Sequence, residues 1–414
     1  MTLLSEAFRQ QVEKTKDLAM TTEQQHTVAY STGFLPFDFQ NGYLLRIGDK
    51  AYPQLGIMDG SINAVISRSG EGKTTICTQI AANIIRPFKS SCVFIDNAES
   101  GENLARAMQL AQIDSQGFRD RFIPRDAGIT TESIYERVKI IAESKEAYKD
   151  EWMYDTGIVD EYGKHIIKFE PTVYILDSLK AILPKKLSED EGTNMNGATT
   201  ARINSDIFLR LIPMCRLYNI IILVINHITQ SGIGSIMPQK SSIAYLKQGE
   251  SLPGGRTAAT YLNNNIIRLD NVSKLKSSEA FGIDGAIVNV EIIKSRSNKA
   301  GKGCKLVFNQ DIGYDPDLSM FIALKDRGVL EGAGAFLRLP NSDIKFSQKN
   351  FKSLLYSNPE FQQQFISTVA NTLMKEFMER NSSITNTIDT VKAKPAYLSV
   401  LDEIQKICNN GDLN

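Results

Sequence analysis

The residues with the most specific chemistry are Ser67-Arg68-Ser69-Gly70-Glu71-Gly72-Lys73-Thr74-Thr75. They follow the apolar run 62–66 and lead into 76–85, so a short buried strand, a tight loop and a helix come in succession. That order is the setting of a triphosphate-binding loop. Small residues let backbone N–H groups curl around phosphate oxygens, and the positive end of the helix dipole adds to the attraction. Lys73 would reach the β- and γ-phosphates and the Thr74 hydroxyl would hold Mg²⁺, which makes ATP and Mg²⁺ the expected cofactors. Serine at 67 replaces the first glycine of the pattern G-x-x-x-x-G-K-[ST], where tolerance of positive φ is the usual reason for glycine. Acids after two of the expected strands complete the set. The apolar run 172–176 ends in Asp177, which can order the Mg²⁺ water shell opposite Thr74. The strand expected over 91–96 is followed by Glu99 and Glu102, which puts carboxylates in the crevice where doubly wound sheets bind ligands.

The elements that must position these groups alternate along the chain. Apolar runs at 62–66, 91–96, 172–179 and 220–225 read as core strands, and 265–270, 286–293 and 304–308 as further strands. Helices are expected at 76–85, stopped by Arg86-Pro87, at 103–112, at 131–144 with a threonine cap, and at 198–218. The reading is an α/β core with a mostly parallel twisted sheet flanked by helices. Residues 1–25 carry Leu4, Phe8, Val12 and Leu18 at helical spacing, a stripe that would bury on its own domain or on a neighbouring subunit. A turn at 30–38 enters a short helix, and the stretch up to 56 reads as irregular. The polar stretch 144–171 reads as a surface insertion or hairpin, and 189–197 and 228–253 as functional loops. Beyond 328 comes a small separate unit, then a polar linker at 381–393 and a last helix. The resulting division is 1–45, an N-terminal helix and oligomerisation segment; 46–328, the core; 329–380, a small C-terminal α/β domain; and 381–414, linker and terminal helix.

Lys+Arg and Asp+Glu number 47 each, which argues against a protein coated in basic surface but leaves room for local basic loops. Five cysteines without C-x-x-C spacing suggest neither a disulfide framework nor a zinc site. With no signal peptide and no apolar run of bilayer length, the expected location is the cytoplasm, with no membrane partner.

Taken in order, several stretches resemble the RecA-type homologous recombinases, and phage recombinases of the UvsX kind in particular. The stretches are Tyr30-Ser31-Thr32-Gly33 with Phe37-Asp38, the phosphate loop, Phe94-Ile95-Asp96 with Glu99, and the segment from Val173 to Pro184. Ile225-Asn226-His227, Lys294-Ser295-Arg296, Gly313-Tyr314-Asp315 and Gly332-Ala333-Gly334-Ala335-Phe336 continue the likeness. It spans about 30–380 without the stretch 144–171, and a phage origin is suggested by the Asn-His and Lys-Ser-Arg patterns.

The resemblance implies a RecA-like ATPase core and an ATP-dependent recombinase that polymerises on single-stranded DNA, pairs it with a homologous duplex and exchanges strands. Glu99 would position the attacking water; the motif has one extra residue here, so Glu102 is a second candidate. Asn226 would sense the γ-phosphate and relay it to the loop that follows. Lys294 and Arg296 would complete a neighbour's ATP site, making ATP a glue for a helical homo-oligomeric filament. Loops 189–197 and 228–253, with Arg202, Gly254, Gly255 and Arg256, would hold DNA phosphates. The acids of the first loop either point away or leave contact to Asn194 and Met195. A mediator or single-strand-binding protein is a further implied partner. His227 reads as a hydrogen-bonding residue without a catalytic role, and Arg210 as a surface charge. The rival readings are a hexameric helicase on the same core and a low-turnover ATP- and DNA-binding scaffold.

Overall fold

The computed structural model describes residues 26–48, 50–99, 103–185, 197–230, 246–253, 262–279, 281–332 and 336–382. The expected N-terminal helix at 1–25, most of the loops 189–197 and 228–253, and the tail beyond 382 lie outside them. A nine-stranded sheet organises the rest. Its strands are β1 (Ile62–Ser67), β2 (Val93–Asn97), β3 (Phe122–Arg125), β4 (Thr172–Asp177), β5 (Ile220–His227), β6 (Asn265–Leu275), β7 (Gly285–Ser295), β8 (Lys302–Asn309) and β9 (Gly313–Asp315). They lie side by side in the order β9-β8-β7-β6-β1-β5-β4-β2-β3. Every pairing from β6 across to β3 is parallel, and those of β7, β8 and β9 are antiparallel.

The apolar runs explain the arrangement. β1 and β4 are buried along their whole length, and β5 up to His227, as strands covered on both faces must be. One face is covered by helix α1 (Lys73–Ile85), whose Ile76, Ile80 and Ile84 pack with Val65, Ile95, Val173 and Leu223. On the other face, α2 (Thr131–Ala147) and α3 (Gly197–Tyr218) bring Ile134, Val138, Phe208 and Leu211 onto Ile66, Tyr174 and Val224. The chain passes from β1 over two strand positions to β2, and β5 and β4 later fill the gap. The carboxyl ends of β1, β5 and β4 therefore flank a topological switch point, where open α/β sheets bind ligands. The fold is a RecA-like α/β core.

Two stretches differ wholly or in part from their sequence reading. The irregular stretch before Gly56 is a hairpin, Tyr43–Ile47 paired with Lys50–Gln54. The polar stretch 144–171 does form a hairpin, Met153–Val159 with His165–Phe169, but its inner side belongs to the core. Ile158, Ile166 and Phe169 are buried, Lys168 makes a buried salt bridge with Asp59, and the Tyr154 and Tyr30 hydroxyls lie 2.7 Å apart. Lys145, one of the charges that suggested exposure, is fully buried and donates to the carbonyls of Glu170 (2.7 Å) and Tyr218 (2.8 Å). Composition shows how many charges a segment carries, whereas some of the groups that receive them, the Tyr218 carbonyl and Asp59, come from distant parts of the chain. The helix Pro359–Ser382 shares a phenylalanine-rich core with the helices Leu35–Asn41 and Pro316–Asp326.

At the end of β2, the buried Asp96 carboxylate accepts hydrogen bonds from Arg125 of β3, Arg137 of α2 and the Tyr174 hydroxyl of β4. Neutralising it leaves two mostly buried guanidiniums facing each other. Asp96→Asn should lower the unfolding free energy by about 3 kcal/mol, read from urea melts at unchanged m.

Candidate active site

The phosphate loop leaves β1 at Ser67 and enters α1 at Lys73. Gly70 and Gly72 have φ of 79° and 81°, in the left-handed region that favours glycine. Ser67, in place of a glycine, is still a strand residue and is absent from the described residues with positive φ. Its hydroxyl donates to the Arg68 carbonyl (2.7 Å) and accepts from the Lys73 ammonium (3.1 Å), so the departure from the motif is absorbed within the loop. Tyr314 braces the loop from below. Fully buried, it donates from its hydroxyl to the Glu71 carbonyl at 3.2 Å. A Cβ on Gly72 would stand 2.9 Å from that hydroxyl. Gly72→Ala combines this clash with left-handed strain of about 1–2 kcal/mol. It should weaken ATP binding about 10-fold or more, because the loop N–H groups lose their common focus. Titration with a fluorescent ATP analogue reads this out.

Lys73 is buried and curls back over the loop, donating to the Arg68 carbonyl at 2.8 Å; burial pulls its pKa down. Thr74 donates to Asp177 at 2.5 Å. Burial, reinforced by the nearby Glu99 charge, raises the Asp177 pKa against the opposing Thr74 bond. A cation shared between this hydroxyl and carboxylate would relieve that cost. The residues therefore fit Mg²⁺ carried in with the nucleotide. Among the described residues no His, Cys, Asp and Glu cluster could hold a metal by itself.

Glu99 accepts from the Ser178 hydroxyl (3.0 Å) and from His227 Nε2 (2.9 Å). Burial opposes its ionisation, but those two bonds outweigh it and hold the carboxyl below its ordinary pKa. His227 Nδ1 lies 3.4 Å from the Lys73 ammonium. An ammonium can only donate, so Nδ1 accepts and Nε2 carries the proton given to Glu99. His227, expected as a hydrogen-bonding residue, thus links the phosphate-loop lysine to the candidate catalytic carboxylate, a position the sequence reading did not give it. The available signal was its position at the end of an apolar strand next to β1: His227 stands in register with Ser67. Which strand neighbours β1 is a property of the sheet order, and no local pattern carries it.

Asn226 accepts from the His227 amide (2.9 Å) through Oδ1 and donates through Nδ2 to the Pro253 carbonyl (2.8 Å). It therefore touches the far end of the loop that starts at Ile228. The loop base is a two-stranded ladder, Thr229–Gln230 with Glu250–Ser251. Arg268 holds Glu250 there with two bonds of 2.7 and 2.9 Å.

Lys294 and Arg296 lie elsewhere. Lys294 pairs with Ile266, which pairs with Ala64 near the start of β1, whereas the phosphate loop leaves its end. Three residues of strand, about 10 Å, separate those levels. The Lys294 ammonium donates to the Asn263 carbonyl at 2.9 Å, and burial followed by the Arg296 charge lowers its pKa to about 8. Arg202 is exposed on α3. Gly254, Gly255, Arg256 and Glu102 fall outside the described residues.

No protein-family model matches the chain. It is similar to curated proteins called RecA. One, from Wolbachia sp. subsp. Drosophila simulans (strain wRi), is 24% identical over 323 residues, 75% of this chain and 75% of the relative. Another, from Rickettsia africae (strain ESF-5), is 24% identical over 388 residues, 88% of this chain and 96% of the relative. A third, from Geobacter metallireducens, is 22% identical over 365 residues, covering 82% and 93%.

Proposed function

We propose that this chain is an ATP-dependent DNA recombinase of the RecA type that assembles as a helical filament on single-stranded DNA. In this reading it pairs that strand with a homologous duplex and exchanges strands. The observation that supports it is that two groups of candidate residues stand at different levels of the sheet. Lys73, Thr74, Asp177, Glu99 and His227 converge at the carboxyl ends of the parallel strands. Lys294 stands about 10 Å of strand back from there, at the level of Ala64 in β1, with Arg296 two residues further along the chain, just past β7. Cations there could complete a second copy's triphosphate site, and repeating such a contact head to tail generates a filament when the rotation does not close. RecA-named relatives along most of the chain support the same reading, and the Asn226-His227 and Lys294-Ser295-Arg296 patterns favour a phage recombinase of the UvsX kind acting in the host cytoplasm. Among the described residues no helix is long and apolar enough to cross a membrane.

In the mechanism, Lys73, the loop N–H groups and Thr74 bind and orient MgATP, which supplies the transferable phosphoryl group. Glu99, ionised and held by His227 and Ser178, positions a water for attack. Asn226 and His227 couple the state of that site to the loop through Pro253. Arg202 and the Gly254-Gly255-Arg256 segment contact DNA phosphates, so binding should weaken steeply with salt. Electron microscopy with a slowly hydrolysed ATP analogue and single-stranded DNA tests the reading. Helical filaments are expected; closed rings would favour the helicase architecture and overturn it.

A further inference from the structure

Beside Arg296, the hairpin Tyr43–Ile47/Lys50–Gln54 folds against the turn that follows β7 and encloses a cavity of about 360 Å³. Arg46, Arg296 and Lys299 line it, together with Tyr43, Asn298 and Asn381. The support is fixed on both sides. The Asn298 amide donates to the Gly42 carbonyl at the foot of the hairpin, and its oxygen accepts from the Lys302 ammonium at 3.0 Å. The Tyr43 hydroxyl donates to Thr27 at 3.1 Å. Arg46 and Lys299 are both exposed, so their charges reach a surface and not the core.

Three cations, Arg46, Arg296 and Lys299, line the cavity. Lys302, bonded to the lining Asn298, has its pKa lowered to about 8 first by burial and then by the charges of Arg380 and Lys299. An anion placed among cations on one surface is attracted by all of them together. The volume suits a polyphosphate, and guanidinium forks match phosphate oxygens two at a time. Arg296 shares this cavity and is already assigned to the neighbour's nucleotide, so the same anion is within reach of the groups around it.

We propose that Arg46, assisted by Lys299, is a further arm of the clamp that one copy closes on the triphosphate of the next. The early hairpin thereby becomes part of the shared ATP site. This rests on the shared-site reading of Lys294 and Arg296. Arg46 acts only on phosphate held by another copy, so its removal leaves nucleotide binding by isolated copies intact and impairs turnover in the assembly.

Mixing experiments decide the matter. Arg46→Ala should slow single-stranded-DNA-stimulated ATP hydrolysis about 10-fold, less than the 10²–10³-fold of a desolvated contact because Arg46 is exposed to solvent. Its affinity for a fluorescent ATP analogue in dilute, DNA-free solution should equal the parent's. An equal mixture of Arg46→Ala and Lys73→Ala should recover about a quarter of the parental rate, since one junction in four joins an intact loop to an intact Arg46. Lys299→Ala, a smaller change at the same cavity, should slow turnover in the same sense. A parental rate for Arg46→Ala, or a mixture no faster than its components, overturns the proposal. The Lys294→Ala/Lys73→Ala mixture separates the two levels. Recovery there without recovery for Arg46→Ala sinks only this inference, and failure of both sinks the shared site. If inorganic triphosphate binds isolated copies in an Arg46-dependent, Lys73-independent way, the cavity serves a free polyanion and the clamp is overturned.

Discussion

Glu99→Gln should reduce single-stranded-DNA-stimulated ATP hydrolysis by about 10²–10⁴-fold, the usual worth of a positioned general base. The amide keeps the size of the side chain and can still accept from Ser178 and His227, so the 3.0 and 2.9 Å contacts have partners and the fold should be preserved. What disappears is the ionised carboxylate that those donors hold below its ordinary pKa. ATP binding and ATP-dependent assembly on DNA should remain, and filaments should dissociate more slowly because the hydrolysis that releases them is blocked. A steady-state phosphate assay beside filament lifetimes distinguishes the roles. Hydrolysis at the parental rate would remove Glu99 from the chemistry and turn attention to Glu102.

Lys294→Ala should be nearly inactive alone and active in company. Removing a cation from developing phosphate charge costs about 10²–10³-fold in turnover. An equal mixture with Lys73→Ala, itself inactive, should restore about a quarter of the parental rate, because each variant supplies what the other lacks across a head-to-tail junction. A site complete within one copy allows no such rescue. The pH dependence follows from the Lys294 pKa of about 8. Below that value the lysine is charged and can clamp; as pH rises through it the charge is lost, so ATP-dependent assembly should weaken above about pH 8. Lys294→Arg keeps its charge throughout and should flatten that limb.

How much of this was legible in advance depends on whether the cause is local. The phosphate loop, its strand and its helix could be read directly, since two glycines, a lysine and a threonine at set spacing act within one turn of chain. Asp177 could also be read, as an acid ending an apolar strand. His227 could not be weighed, because its meaning comes from a 2.9 Å contact to a residue 128 positions away. The hairpin at Tyr43–Gln54 escaped because its alternation is weak and its partner in space, the turn after β7, is remote in sequence. The charges of 144–171 suggested a surface insertion or hairpin; the hairpin forms, and Lys145 and Lys168 are buried because the Tyr218 carbonyl and Asp59 from elsewhere receive them.

The sequence by itself determined the groups available: a glycine-rich loop between strand and helix, acids at two strand ends, and an α/β core to hold them. Local spacing and hydrophobic period suffice for that, because each acts between residues near in the chain. Only the tertiary structure decided which of these groups meet. The strand order brought Lys73, His227 and Glu99 to one edge of the sheet, and set Lys294, Arg296 and Arg46 on ground their own phosphate loop does not share. Strand order and register come from the packing of whole faces, a sum over the molecule that no single stretch of sequence contains.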